Sequence, residues 1–396
     1  MIDWIDLSAR SGSGTTDVTV TALPYSGDAP RSGYFIVSGS SKFESIEVVQ
    51  DAPAAVDQYL SFKVVSGGSM SYRSYHSPSS TTPFSARTIQ YSVNGGFWNS
   101  ATVSTANGST FIGPQSLNPG DVIRLKSTAY AENTPLIFGF VGTAKCELYG
   151  NILSLVYGDS FASYTTMPNI DYIFQHIFCN ANFYPDSPYW EQGPESASTI
   201  VSAVRLALPL NTTYHCYDSM FYGQTLLRDA PALPSMTLTD YCYSTMFTSC
   251  KSLIVPPELP ATTLAQGCYS AMFTECISMT TAPTLPASEL VHGCYMLMFS
   301  YCTSLNYVKC LASSIAQGAS ITTGAWLRDV SATGTFIKTP NASIWTSGES
   351  GIPTGWTVED YTPSRSTKRN RVAGNLPVAI TETGYLKNNN TDWIVA

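Results

Sequence analysis

Residues 242–253 read CYSTMFTSCKSL, and residues 268–279 read CYSAMFTECISM, so one twelve-residue pattern returns after 26 residues. Cys-Tyr-x-x-Met-Phe starts at Cys216, Cys242, Cys268 and Cys294, each 26 residues after the last. A second cysteine stands three residues beyond the Phe at Cys250, Cys276 and Cys302, and Gln224 takes that place in the first copy. Leu-Pro follows in the same register at Leu233, Leu259 and Leu285. A fixed period of this length marks a repeat array in which each unit buries its face only against its neighbours.

Counted from the first cysteine, the apolar positions 0, 1, 4, 5 and 8 fall within about 140° of arc on a helix of ~3.6 residues per turn. That reads as an amphipathic helix with its stripe facing the core. The variable pairs Ser244-Thr245, Ser270-Ala271 and Met296-Leu297 form its outer face. A short strand is expected next, as at Ser252-Leu253-Ile254-Val255, and the Pro-rich VPPELPA and TTAPTLPA stop any helix from continuing. The predicted fold is therefore multidomain: β-sandwich modules at the N-terminus, then a helix-strand solenoid of the leucine-rich-repeat plan with a capping C-terminal region.

The consensus CYSxMFxxCxSLxxAPxLPATTL resembles the BspA-type leucine-rich repeats of Bacteroidales surface and phage proteins. The resemblance runs upstream through YGNILSLVYGDSF (149–161) and downstream through GAWLRDVSATGTF and GIPTGWTV. It implies adhesion and recognition rather than catalysis. Near the start of the chain, WIDLSARSGSGTTDVTVTA, RSGYFIVS and EVVQ resemble the second half of a BACON domain, an immunoglobulin-like module, with Trp4, Gly12, Gly14, Arg31, Gly33 and Gln50 at its signature positions. The earlier strands of that module have no counterpart before Trp4, so this half-sandwich is expected to leave an edge open to strand pairing with another chain.

These readings divide the chain into a partial BACON-like β domain (1–52), an accessory β-sandwich (57–146), a repeat domain with caps (147–358, its 26-residue repeats at about 208–311) and a C-terminal tail or strand (359–396). In the accessory domain, TIQYSVNGGFW carries an Asn94-Gly95 hairpin signal and NPGDVIRLKS a Pro-Gly turn. Tyr91 and Trp98 beside the hairpin are the right rings for sugar stacking, but cross-strand packing is the commoner use of aromatics there. The tail includes PSRSTKRNR, whose Arg365, Lys368, Arg369 and Arg371 belong either to a solvated linker or to a dock for an acidic assembly partner.

Composition narrows the function. Of the 396 residues, 44% are hydrophobic and only 12% charged, with a net charge of -8 and 24 tyrosines. Such a surface argues against a phosphate-tracking nucleic-acid binder and suits neutral polar partners such as glycans. No apolar run approaches the ~18 residues of a membrane span, and MIDWIDLSARSG has neither the basic start nor the apolar core of a signal peptide.

The ten cysteines admit three readings. In a helix Cys242 and Cys250 stand about 12 Å apart, too far for one zinc ion or for a disulfide. Equivalent cysteines of neighbouring helices, at about 8–10 Å, are also beyond bridging distance. They are read as free, buried small hydrophobes, and no metal and no cofactor is expected. His76, His176, His215 and His292 show no HExxH spacing, and neither a phosphate loop nor a G-x-S-x-G elbow occurs, so the chain is read as not an enzyme.

Tyr217, Tyr243, Tyr269 and Tyr295 fall inside the apolar stripe and are expected to pack. The ligand-binding candidates are the strand residues pointing away from the inward Leu227, Leu253, Met279 and Leu305. These are Arg228, Ile254, Thr280 and Asn306, with Ser252, Ser278 and Ser304 beside them and Leu226 in the same register, on the concave sheet face that solenoids use for binding. The expected protein is a virion fibre or decoration subunit of a Bacteroidales phage, assembled in the host cytoplasm. It is expected to be a homo-oligomer that meets host-surface or mucosal glycans and is attached to other virion proteins through its N-terminal β domain. The alternatives are a bacterial cell-surface adhesin of the BspA type and a purely structural virion spacer.

Overall fold

A computed structural model describes residues 58–74, 87–103, 110–112, 116–128, 138–182, 191–192, 198–316 and 318–361, together with strands at 5–7, 11–12, 20–22, 31–39, 42–50, 370–372 and 393–395. The Trp4 and Gly14 signature positions, the 51–57 linker, His76 and most of PSRSTKRNR lie outside the described residues. The chain forms two compact units, one of residues Met1–Ala54 with Tyr361–Ala396 and one of Ala55–Asp360.

In the first unit the strands Arg31–Gly39 and Lys42–Gln50 pair antiparallel along their full length. The open edges expected from the sequence are taken up, in part, by the chain's own C-terminus. Trp393–Val395 pairs with Val37–Gly39, and Asn370–Val372 runs parallel to Val48–Gln50. With Ser11–Gly12 on the far side of Trp393–Val395, these make a 5-stranded sheet. The stretch read as a tail or terminal strand supplies strands to the N-terminal module, a pairing between segments so distant in sequence that no local pattern announces it.

The second unit begins with a 6-stranded sheet in the order Ile200–Ala207, Lys145–Asn151, Leu60–Ser66, Val122–Ser127, Arg87–Val93, Asn99–Val103. Leu60, Phe62, Val64, Ile123, Leu125, Cys146 and Leu148 bury its inner side. Asn94 (φ 51°) and Gly95 (φ 73°) form the hairpin turn read from the sequence, and Asn118 accepts from Asp121 N–H across the Pro-Gly turn. Lys145–Asn151 spans the expected boundary at 146/147 and is paired on both sides, antiparallel to Leu60–Ser66 and parallel to Ile200–Ala207. From Ile200–Ala207 the hydrogen bonding passes into the repeats, where Arg228 N–H donates to Val201 C=O at 3.1 Å and Ala203 N–H to Asp229 C=O at 3.0 Å.

The helix-strand leucine-rich-repeat solenoid expected from the repeats is not what forms. The second unit is built mostly of strands and turns, and the two α-helices among the described residues, Ser154–Tyr157 and Ala319–Thr322, lie outside the Cys-Tyr-x-x-Met-Phe segments. Each such segment is a ribbon of successive tight turns. Its amides alternate. Tyr217, Ser219, Phe221 and Gly223 N–H donate to Cys242, Ser244, Met246 and Thr248 C=O of the next repeat, at 2.8–3.0 Å. Cys216, Asp218, Met220 and Tyr222 N–H donate three residues back along their own ribbon, at 3.1–3.3 Å. The same alternation joins each later repeat to the next.

The reason lies in the period. Apolar pairs at 0, 1 and 4, 5 followed by 8 repeat every four residues, which a helix of ~3.6 residues per turn matches only over a short stretch. The ribbon keeps the four-residue period by placing positions −1, 3 and 7 at positive φ: Tyr241, Thr245 and Ser249 (55°, 50°, 60°), then Gly267, Ala271 and Glu275 (58°, 51°, 62°). Left-handed backbone costs a non-glycine residue about 1–2 kcal/mol. The cross-repeat hydrogen bonds, which an isolated helix has no counterpart for, offset that cost. Expected strands between ribbons are reduced to isolated bridges such as Asp229 with Val255 and Thr281 with Tyr307, before Tyr307–Cys310, Thr335–Lys338 and Thr357–Asp360 close the array as a parallel 3-stranded sheet.

Inside the stack the repeated side chains form ladders. Tyr217, Tyr243, Tyr269, Tyr295, Trp326 and Trp345 stack with ring centroids 5.4–6.2 Å apart. Phe178, Phe221, Phe247, Phe273 and Phe299 stack at 5.5–5.7 Å. The ladders reveal a further layer at each end. Tyr172 to Asn180 bond to the first motif copy, and Tyr295 to Tyr301 bond to Thr322–Arg328. All ten cysteines are free and buried. Cys250, Cys276 and Cys302 donate S–H to the Phe221, Phe247 and Phe273 carbonyls of the preceding layer at 3.2, 3.2 and 2.9 Å. Gln224 makes the equivalent bond from Nε2 to Phe178 C=O at 2.7 Å, while its Oε1 accepts from Ser198 Oγ and from the Thr199 and Ile200 amides at 3.0–3.1 Å. A thiol has one weak donor and an amide has both donor and acceptor, so glutamine stands where the first repeat must also hold the start of the Ile200–Ala207 strand.

Two stability measurements follow from this geometry. Ala271→Gly, at φ 51°, should raise unfolding free energy in denaturant titration by about 0.5–1 kcal/mol, because relief of left-handed strain exceeds the entropy lost with glycine. In a helix the same change costs about 1 kcal/mol, so the sign separates the two structures. Gln224→Ala should lower stability by about 2–4 kcal/mol, since it leaves buried amides and a carbonyl without partners.

Candidate functional site

The strand side of the repeats is set by what precedes it. The C=O of Cys250, Cys276 and Cys302 accepts the amides of Leu253, Met279 and Leu305 at 2.9–3.1 Å, as Gln224 C=O accepts that of Leu227. This turn carries those four apolar side chains inward, each with no exposed surface. The next residue in each repeat therefore faces out. Arg228, Ile254, Thr280 and Asn306 are all exposed, and Ser252, Ser278 and Ser304 are half-buried beside them. Backbone bonds join the row in two steps, Ile254 N–H to Arg228 C=O at 3.2 Å and Asn306 N–H to Thr280 C=O at 3.0 Å, and Thr335 N–H to Asn306 C=O at 2.8 Å carries it into the closing sheet. All seven candidates read from the sequence share this face, and Leu226, 36% exposed, adjoins it.

The two long faces of the array differ in what their polar groups do. On the ribbon side the hydroxyls are consumed internally. Ser219 and Thr245 bond each other at 2.7 Å, Thr248 and Thr274 donate to the Ala271 and Leu297 carbonyls at 2.7 and 2.8 Å, and Ser249 donates to Glu275 at 2.8 Å. On the strand side, among the described residues, the side chains of Arg228, Thr280, Asn306, Ser252, Ser278 and Ser304 make no hydrogen bond or ion pair within the chain. Their hydrogen-bonding capacity is open to solvent and to a ligand.

The ribbon side does hold one titratable cluster. Asp218 accepts from His215 Nδ1 at 2.8 Å, Gln175 Nε2 at 3.0 Å, Thr245 Oγ1 at 2.6 Å and Ser219 Oγ at 3.1 Å. Burial works against its charge, but these donors and His176 hold its carboxyl below the usual range. The His215 ring is stacked between Tyr172 (5.1 Å) and Tyr241 (4.8 Å). These contacts tie three layers together through the Asp218 carboxylate. His176, wholly buried, has its pKa pushed down to about 4, by desolvation first and by His215 in part, with Asp218 opposing.

Tyr217, Tyr243, Tyr269 and Tyr295 are buried, at most 2% exposed, as packing ladders should be. Near the hairpin, Trp98 lies under the Lys126 ammonium at 4.5 Å with Tyr59 edge-on at 5.2 Å, and Tyr91 packs on the core. Lys126 in turn bonds both oxygens of Asp159 at 2.7 and 2.8 Å, and Tyr59 Oη donates to Asp159 at 2.6 Å, which lifts the Tyr59 phenol to about 12. The ring this hairpin exposes is Phe97, at 95%, and the sequence reading passed over it. Burial likewise pushes the repeat thiols up, Cys242, Cys294 and Cys302 to about 12. Among the described residues no cluster of three or more His, Cys, Asp or Glu is placed to hold a metal ion, and no helix is long and apolar enough to cross a membrane.

Residues 2–51 match the model of the BACON family, described as "Putative binding domain, N-terminal". The chain therefore carries a BACON domain within its first unit. No curated protein and no solved structure matches the chain. The helix-strand architecture implied by the BspA-type resemblance is overturned by the turn ribbons.

The buried His176 sets a pH dependence. Its folded pKa of about 4 lies below the ~6.5 of an unfolded histidine, so the unfolded chain gains a proton that the folded one refuses. The contribution is complete above pH 6.5 and is lost as pH falls to about 4, by roughly 3 kcal/mol. Melting temperature should fall over that window, and His176→Asn, which suits the positive φ of 59°, should flatten the decline.

Proposed function

We propose that this chain is a non-enzymatic binding protein whose strand face engages glycans on a host surface or in mucus, working as a fibre or decoration subunit of a phage virion. The observation that carries the reading is the row from Arg228 to Asn306. Among the described residues its polar side chains have no partner, they differ from layer to layer, and they stand on a backbone held by cross-repeat hydrogen bonds. A rigid backbone with uncommitted polar groups loses little entropy on binding. Neutral polar side chains beside an exposed aliphatic one suit a sugar, which offers hydroxyls at its edges and C–H groups on its faces.

The BACON match supports the adhesive reading for the first unit, which is assigned here to attachment within the virion. The virion setting itself follows from the likeness of the repeat sequence to phage and surface proteins. An adhesin on a bacterial cell surface would use the same face.

A glycan array with the full chain is expected to show binding that falls at least tenfold in the double variant Arg228→Ala/Asn306→Ala at unchanged melting temperature. Binding that survives both replacements removes this face from consideration. Release of reducing sugar from any bound polysaccharide would overturn the non-enzymatic assignment.

A further inference from the structure

We infer that the strand face selects saccharides that carry a carboxylate, with Arg228 as the group that reads it. This rests on the glycan reading above and narrows it to a chemical class. The first observation is the state of the cations. Lys126, Arg328 and Lys338 are each held by a carboxylate, Asp159, Glu349 and Asp360 respectively. Lys63 sits 3.9 Å from Glu147. Lys251 and Lys309, the lysines nearest the row in sequence, also have partners. Arg228 is exposed and has none among the described residues, and its backbone is fixed on both sides, by Val201 C=O at 3.1 Å and by the Ile254 amide at 3.2 Å.

An unpaired guanidinium on a hydrogen-bonded backbone presents a planar fork of N–H donors that matches a carboxylate through two parallel bonds, which an ammonium does not reproduce. The overall charge of -8 sharpens the selection. A dense polyanion is repelled by the protein as a whole, whereas a ligand with isolated carboxylates meets the local attraction and escapes most of the general repulsion.

The layers beyond Arg228 supply the rest of the subsite. Ile254 is 59% exposed and lies one strand spacing away, about 4.8 Å, where its aliphatic side chain covers the C–H face of the same or the adjoining sugar. Thr280 and Asn306, in the next two layers, offer a hydroxyl and an amide that both donate and accept. The order cation, aliphatic, hydroxyl, amide fits an acidic sugar followed by neutral, hydroxyl- or acetamido-bearing ones. It does not fit a uniformly charged chain, which would find no second unpaired cation along the row.

The test uses the full chain and two probes, a tetrasaccharide alternating glucuronic acid with N-acetylglucosamine and the same tetrasaccharide with its carboxyl groups reduced to alcohols. Titration calorimetry is expected to give at least tenfold tighter binding of the acidic form, with a preference that weakens as salt is raised. Arg228→Ala should abolish the preference, and Arg228→Lys should restore only part of it. Both should melt with the wild type, because Arg228 is exposed and its side chain has no hydrogen bond or ion pair among the described residues. Equal affinity for the two tetrasaccharides, or a preference that persists in Arg228→Ala, overturns the carboxylate assignment and leaves the glycan reading standing. Failure of both probes together with every neutral glycan on an array overturns both.

Discussion

Alternate amides of each ribbon reach across to the next repeat, and the rest of the second unit depends on that division. A helix would satisfy its amides internally and touch its neighbours through side chains alone. Here Tyr217, Ser219, Phe221 and Gly223 donate outward while the residues between them donate inward, so each layer is hydrogen-bonded to the next at the spacing its ladders require. The tyrosine and phenylalanine stacks at 5.4–6.2 Å are a consequence, as is the run of buried cysteines, whose small side chains fit between layers and whose S–H groups reach the Phe carbonyls above them. The expense is left-handed backbone at residues such as Thr245, Ala271 and Leu297, tolerated because releasing one of them would also break a bond to the adjacent layer.

The same division separates a face that holds the fold from a face that is free to bind. Ribbon hydroxyls and the Asp218 carboxylate are committed to neighbouring layers, and changing them changes stability. Among the described residues, the row from Arg228 to Asn306 is committed through its backbone only. Its side chains can therefore differ between layers, cation, aliphatic, hydroxyl and amide, without disturbing the stack. This is the physical basis for placing recognition on the strand side: variation there is inexpensive, and the positions are held by bonds that do not involve the varying atoms.

The first unit makes a complementary point about edges. The long hairpin Arg31–Gly39 with Lys42–Gln50 would present unpaired strands if it stood alone, and strands from the distant C-terminus cover part of each edge. Strand pairing of this kind satisfies backbone groups whatever their sequence distance, so the matched BACON segment at 2–51 is completed by residues that lie outside it.

The sequence by itself determined the 26-residue period, the inward apolar residues of each repeat, the burial of the cysteines and the Asn94-Gly95 turn. These follow from periodicity and side-chain polarity, which are local. It did not determine the conformation of the repeat, because apolar residues at 0, 1, 4, 5 and 8 bury one stripe either as a short helix or as a four-residue turn ribbon. The choice is made by hydrogen bonds between residues about 25 apart, which no window of one repeat contains. The layer at Tyr172–Asn180 was within reach, since Ile173-Phe174 and Ile177-Phe178 keep the 0, 1, 4, 5 spacing without the cysteine. Only the tertiary structure decided which polar groups are spent inside the molecule and which are left over. Whether Arg228 has a carboxylate beside it, as Lys126 and Lys338 do, depends on where the other layers place their side chains.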